Sequence, residues 1–235
     1  MSALVLCGSI GSTTEMWEPQ IPALGGYDVI AVDHPGHGGA PVPAGPIELA
    51  DLGRGVLAAL DERGIGRASY CGLSLGGAVG MWLAANAPER IDRLVLACTR
   101  ARFGDPLGWD DRAATVRAHG MEAIADAVLE RWFTPGFPDR ARWRAMMTSV
   151  DPEGYARCCE VLRDADLREE IRRIGAPTLV IAGADDPSIS AEDVELLVSR
   201  IPGARLVTIR SAAHIANVEQ PEAFSAALLS HLEEK

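Results

Sequence analysis

A chain of 235 residues that is 48% hydrophobic has the length and apolar content for one large domain with a sizeable core, or for a domain carrying a modest insertion. Its 33 acidic residues against 22 lysines and arginines give a formal net charge of −11, which argues against nucleic acid and anionic membrane surfaces as partners. The cysteines (Cys7, Cys71, Cys98, Cys158, Cys159) show no metal-ligand spacing, no basic apolar leader opens the sequence and no apolar run reaches membrane length, so a cytoplasmic protein with reduced thiols is expected.

Strand-like and helix-like runs alternate from the start. A strand is expected over 3–7, a helix near 16–24, a strand over 28–32, a helix over 47–63, a strand over 68–72, a helix over 75–87 and a strand over 92–98. The rhythm resumes with a helix over 166–173, a strand over 178–183, a helix over 190–200, a strand over 204–210 and a helix over 219–233. Runs such as Thr178-Leu-Val-Ile-Ala182 lack polar alternation, as strands do when helices cover both faces of a parallel sheet. The fold class is therefore α/β, a mostly parallel, doubly wound sheet of about six strands. Between Thr99 and Asp164 the rhythm stops in a helical stretch rich in arginine and tryptophan and punctuated by prolines. It reads as a helical cap over the carboxyl ends of the strands, where such sheets bind ligands. The expected organisation is a core of residues 1–98 and 166–235 with a cap insertion over 99–165.

Chemistry concentrates at the ends of the strands. Gly72-Leu73-Ser74-Leu75-Gly76 joins a strand to a helix, the context that a G-x-S-x-G nucleophile elbow needs. The tight turn would lift the Ser74 hydroxyl to a helix N-terminus, whose free N–H groups favour negative charge. A serine needs a base, and the base needs a group to fix it. Further along the chain, Asp185 and Asp186 close one strand and His214 follows the last, giving nucleophile, acid and histidine in order at the same sheet face. The Gly8-Ser9-Ile10-Gly11-Ser12 turn after the first strand is expected to supply one oxyanion N–H, from Ile10, with the other from Leu75. His34 and His37, three apart around a proline with no further ligand clustered beside them, do not make a metal site. No metal or cofactor is needed for acyl transfer by such a serine.

With those residues in place, the chain resembles the α/β-hydrolase superfamily, and within it the β-ketoadipate enol-lactone hydrolases of aromatic catabolism. The superfamily likeness lies in Asp33-x-x-Gly36-x-Gly38, the elbow, Ala87-Pro88-Glu89-Arg90 with the strand after it, and Gly183-x-x-Asp186; this last pattern selects Asp186 over Asp185 as the acid. The lactonase likeness lies in Trp82, Arg131-Trp132-Phe133-Thr134-Pro135, Tyr155 to Cys159, Arg163 to Arg168 and the segment from Ala213 to Pro221. Two features depart from the pattern. The superfamily's usual first two strands are missing, which predicts a bare or intermolecularly paired sheet edge at Val29–Asp33 and a possible homo-oligomer. Gly8 stands where the superfamily often has histidine and these lactonases often have asparagine.

The resemblance implies hydrolysis of a small carboxylated lactone, like 3-oxoadipate enol-lactone, through an acyl-serine. A carboxylesterase acting on other small esters has the same machinery, and a ligand-binding homologue without turnover is disfavoured by an intact Ser74, Asp186 and His214. An acidic protein cannot gather an acidic substrate by long-range attraction, so cations in the cap must hold it locally. Arg131 is expected to clamp the substrate carboxylate, with Trp132 walling the pocket and Arg163 as the next candidate.

Overall fold

The computed structural model describes residues 1–234. Its strands and helices follow in the order β1 (Ser2–Cys7), β2 (Tyr27–Val32), α1 (Leu49–Glu62), β3 (Ala68–Leu73), α2 (Leu75–Asn86) and β4 (Ile91–Ala97). Four helices come next: α3 (Pro106–His119), α4 (Glu122–Trp132), α5 (Arg140–Thr148) and α6 (Pro152–Asp164). The chain then returns through β5 (Thr178–Gly183), α7 (Ala191–Arg200), β6 (Arg205–Ile209), α8 (Ala216–Glu219) and α9 (Pro221–Leu232).

The strands form one sheet in the order β2-β1-β3-β4-β5-β6, with every neighbouring pair parallel. β3 is buried along its whole length and β1 along all but its first residue, because helices pack on both faces. Small residues let α2 lie close to the sheet. A Cβ on Gly80 would come within 2.6 Å of the Tyr70 ring. β2 is an end strand with every residue but Ile30 partly or fully exposed, so the expected sheet edge at Val29–Asp33 is present. The helices between β4 and β5 pack on one another, α3 against α6 and α4 against α5, and α6 docks on the loop after β2. There the Asp151 N–H donates to the Gly36 carbonyl at 2.9 Å.

Two expected helices are corrected. The stretch near 16–24 forms two 3-10 turns, Thr14–Trp17 and Ile21–Leu24. Pro19 and Pro22 lack the N–H groups that an α-helical ladder needs there. Of 166–173 only Glu170–Arg173 is helical, again as a 3-10 turn. Its beginning bonds instead to the chain leaving β4: Asp166 bridges Arg102, and the Leu167 N–H reaches the Ala101 carbonyl at 2.8 Å. The last expected helix forms as α9 from Pro221, with the short α8 ending just before it at Glu219.

Candidate active site

At the β3–α2 junction, Ser74 adopts φ 57°, ψ −111°, a conformation that costs an L-residue energy and is held by its surroundings. The Ser74 N–H donates to the Ala97 carbonyl at 3.0 Å, and the Thr99 hydroxyl donates to the Ser74 carbonyl at 2.7 Å. The flanking glycines are required by space. A Cβ on Gly72 would lie 2.1 Å from the Gly76 carbonyl oxygen, and one on Gly76 would lie 2.1 Å from the Cys7 carbonyl oxygen. Helix and strand thus approach too closely for any side chain at either position.

Ser74, Asp186 and His214 line one cleft of about 500 Å³. His214 Nδ1 lies 2.8 Å from Asp186 Oδ2, which holds the tautomer that leaves Nε2 free as a base. The other Asp186 oxygen accepts the Ser188 N–H at 2.8 Å. Asp185 is exposed and makes no such contact, its N–H being used on the Ala212 carbonyl at 2.9 Å. The Ser74 hydroxyl and His214 line the same cleft without a hydrogen bond between them.

The loop bearing His214 is tied down by the segment between α4 and α5. The Ile215 N–H donates to the Trp132 carbonyl at 3.0 Å. Glu219 accepts from Thr134, both N–H at 2.8 Å and hydroxyl at 2.7 Å, and from the Ala213 N–H. Those bonds explain why Arg131 to Pro135 and Ala213 to Pro221 carry one pattern together.

The other side of the serine is the turn after β1. The Ser12 N–H donates to the Ser9 carbonyl at 3.1 Å, and Gly11, at φ 85°, takes the position that a type II turn reserves for glycine. Ile10 lines the cleft, and neither its N–H nor that of Leu75, the first residue of α2, has an acceptor among the described residues. The departure at Gly8 also has a physical reason. A Cβ there would meet Met16 Sδ at 2.6 Å and Ser12 Oγ at 2.7 Å, so those two side chains occupy the room a residue-8 side chain would need.

The helices between β4 and β5 supply the far wall. Trp132, 3% exposed, and Arg131 both line the cleft, with Arg131 at its solvent-exposed rim. Arg131 makes no ion pair among the described residues, and burial together with the neighbouring Arg112 pulls its pKa below the ordinary value. Arg163 does not reach the cleft; it pairs with Asp110 at 2.8 Å and Asp164 at 2.7 Å. Sequence reasoning missed Arg112, Arg100 and the role of Tyr155. Arg112 is half-buried, lies 4.8 Å over the Trp109 ring and likewise has no ion pair among the described residues. The spacing of Trp109 and Arg112 on one helix was the only signal, and it is common in an arginine-rich stretch. Arg100 is spoken for by Asp193 at 3.3 Å. Tyr155, fully buried, lines the cleft with its hydroxyl beside the Arg112 guanidinium. His34 and His37, set aside as metal ligands, bond to the backbone behind the turn instead.

A parallel sheet in this order, a serine at a strained strand–helix turn and a histidine–aspartate pair at later strand ends define a class of protein. The chain belongs to the α/β-hydrolase family, whose fold it matches over residues 2–221, and it is a carboxylic-ester hydrolase. More particularly, it is 41% identical to the 3-oxoadipate enol-lactonase 2 of Acinetobacter baylyi, across 96% of this chain and 86% of that protein. The solved enol-lactonase of Burkholderia xenovorans superposes with a TM-score of 0.96 at 40% identity, covering 99% of this chain and 92% of that one. A hydrolase from Pseudomonas aeruginosa superposes at 0.94 with 46% identity, covering 99% of this chain and 90% of that one. No helix among the described residues is long and apolar enough to cross a membrane.

Proposed function

We propose that the protein opens a small enol-lactone bearing a free carboxylate, through an acyl-serine intermediate. The observation that carries the substrate class is the pair Arg112 and Arg131. Both residues line the cleft that holds Ser74 and have no carboxylate partner among the described residues, whereas Arg100 and Arg163 nearby are paired. Two unanswered cations side by side repel one another and gain from an anionic ligand between them. The similarity to enol-lactonases supports the same reading.

In the reaction, His214 accepts the Ser74 proton as Oγ attacks the ring carbonyl, and Asp186 stabilises the imidazolium that forms. The N–H groups of Leu75 and Ile10 receive the oxyanion, each such donor being worth about 3–4 kcal/mol of barrier. The ring C–O bond then breaks. Its leaving group is an enolate, a better one than an alkoxide, and it takes the proton from the His214 imidazolium, which leaves that ring neutral for the next step. Water attacks the acyl-serine with His214 again as base, and the released enol tautomerises to a 3-oxo acid. Trp132, from the cap, walls the cleft beside the reacting centre.

Replacing either free arginine separates a carboxylate clamp from a surface charge. Arg112→Met and Arg131→Met should each lower kcat/KM for the anionic lactone by about 1.5–3 kcal/mol, the usual value of a charged hydrogen bond, and barely alter hydrolysis of a neutral p-nitrophenyl ester. Equal losses on both substrates would remove the clamp.

A further inference from the structure

The loop after β2 carries two buried imidazoles that the hydrolytic chemistry leaves unused, His34 at 3% exposure and His37 at 0%. We propose that His37 is a positioning residue that aims the oxyanion-binding turn, a role that rests on the reading of Ile10 N–H as an oxyanion donor.

Both ring nitrogens of His37 are committed. Nδ1 donates to the Pro35 carbonyl at 2.8 Å, and Nε2 accepts the Gly11 N–H at 2.9 Å. That assignment needs a neutral ring, and burial, reinforced by His34, pushes the His37 pKa down to about 3. The Gly11 N–H belongs to the central peptide of the Ser9–Ser12 turn, which is the plane that flips between the type I and type II forms. The bond to His37 fixes that plane, and with it the backbone angles of Ile10. The opposite end of the turn is anchored too. The Gly8 carbonyl accepts the Gly76 N–H at 3.0 Å and His34 Nε2–H at 2.9 Å. Between these two anchors the Ile10 N–H is left unbonded and facing the cleft.

The histidine is itself held from the insertion. The Tyr155 ring stacks on His37, with centroids 6.4 Å apart and planes at 25°. α6 reaches the same loop through the Asp151 N–H bond to Gly36. A position on this helix is thus transmitted through one imidazole to the central peptide of the turn that carries the Ile10 N–H.

The test uses His37→Phe, which keeps a ring against Tyr155 but removes the acceptor, and His37→Gln, which returns a carbonyl acceptor. Steady-state hydrolysis of p-nitrophenyl acetate is measured with each, alongside affinity for a trifluoromethyl ketone that adds to the serine as an oxyanion, and thermal stability. His37→Phe should lower kcat at least about tenfold, leave KM within about twofold and weaken the ketone by the same factor as kcat. His37→Gln should recover most of both losses. If His37→Phe does not fold, His37→Met against His37→Gln gives the same comparison. A loss of kcat with ketone affinity unchanged, a loss confined to KM, or equal impairment in the Gln variant would overturn the role. Ester turnover and ketone binding by the wild type that are unaffected by acceptor removal would overturn it while leaving the hydrolase reading intact. A wild type that neither turns over ester nor binds the ketone would overturn both.

Discussion

At the scale of single residues, Ser74 carries the greatest cost and the clearest expectation. Its φ of 57° is tolerated because the Ala97 carbonyl and the Thr99 hydroxyl hold the turn from both sides. Ser74→Ala removes only the Oγ, so the fold and ligand binding should persist while turnover falls by several orders of magnitude, since the residual rate comes from positioning and the oxyanion donors alone. Retention of more than a few per cent of the rate, measured on any hydrolysed ester, would exclude Ser74 as nucleophile. The two adjacent aspartates give a sharper comparison. Asp186 meets His214 at 2.8 Å and Asp185 is exposed, so Asp186→Asn should lower kcat by orders of magnitude and Asp185→Asn only slightly. A reversed order of severity in matched kinetics would reassign the acid. These positions were readable in the sequence because each is fixed by a short local pattern at a strand end. Arg112 was not, because its role depends on which way one face of α3 turns toward the cleft and on which neighbouring carboxylates are already taken. Arg163 misled for the same reason: Asp110, far away in sequence, pairs with it.

At the scale of elements, the alternation of strand and helix was legible to within a residue or two, since buried parallel strands leave continuous apolar runs. The helices that failed did so where backbone hydrogen bonds are decided at long range or by proline. Leu167 bonds across to Ala101, and Pro19 and Pro22 interrupt a ladder that side-chain periodicity alone would extend. At Gly76 the close approach is to backbone, which cannot swing aside as a side chain can. Gly76→Ala places a methyl 2.1 Å from the Cys7 carbonyl oxygen, where rigid backbone stands on both sides, so α2 must move away from β1. The expected cost is about 3 kcal/mol, read as a lowered urea midpoint with an unchanged slope, together with loss of the adjacent oxyanion geometry. A variant of wild-type stability would show that α2 has more freedom than this packing allows.

At the scale of the whole molecule, pH and charge both act through buried groups. The unfolded chain protonates His37 below about pH 6.5, whereas the folded chain resists until about pH 3. The unfolded state therefore binds more protons, and stability falls as pH drops from 6.5 toward 3. At pH 5 this single group costs about 2 kcal/mol. His231, whose pKa is lowered chiefly by burial, adds with the same sign. His34 works the other way: against the cost of burial, Cys7 and the Gly8 carbonyl hold its pKa up. The His37 share is isolated by comparing urea unfolding of the wild type and His37→Gln between pH 7 and pH 5. The variant should lose distinctly less stability over that interval, and parallel losses would place the acid sensitivity elsewhere.

The same scale sets the function. A molecule with a net charge of −11 has, in the cleft that holds its nucleophile, two arginines without an ion-pair partner among the described residues. The most direct measurement is the ratio of kcat/KM for a carboxylated enol-lactone to that for its neutral methyl ester, in the wild type and in the Arg112→Met/Arg131→Met double variant. The wild type should favour the anion by at least about tenfold, and the double variant should bring the ratio close to one. Equal use of both lactones by the wild type, or a preference that survives loss of both arginines, would contradict the assignment of a carboxylated substrate to this site.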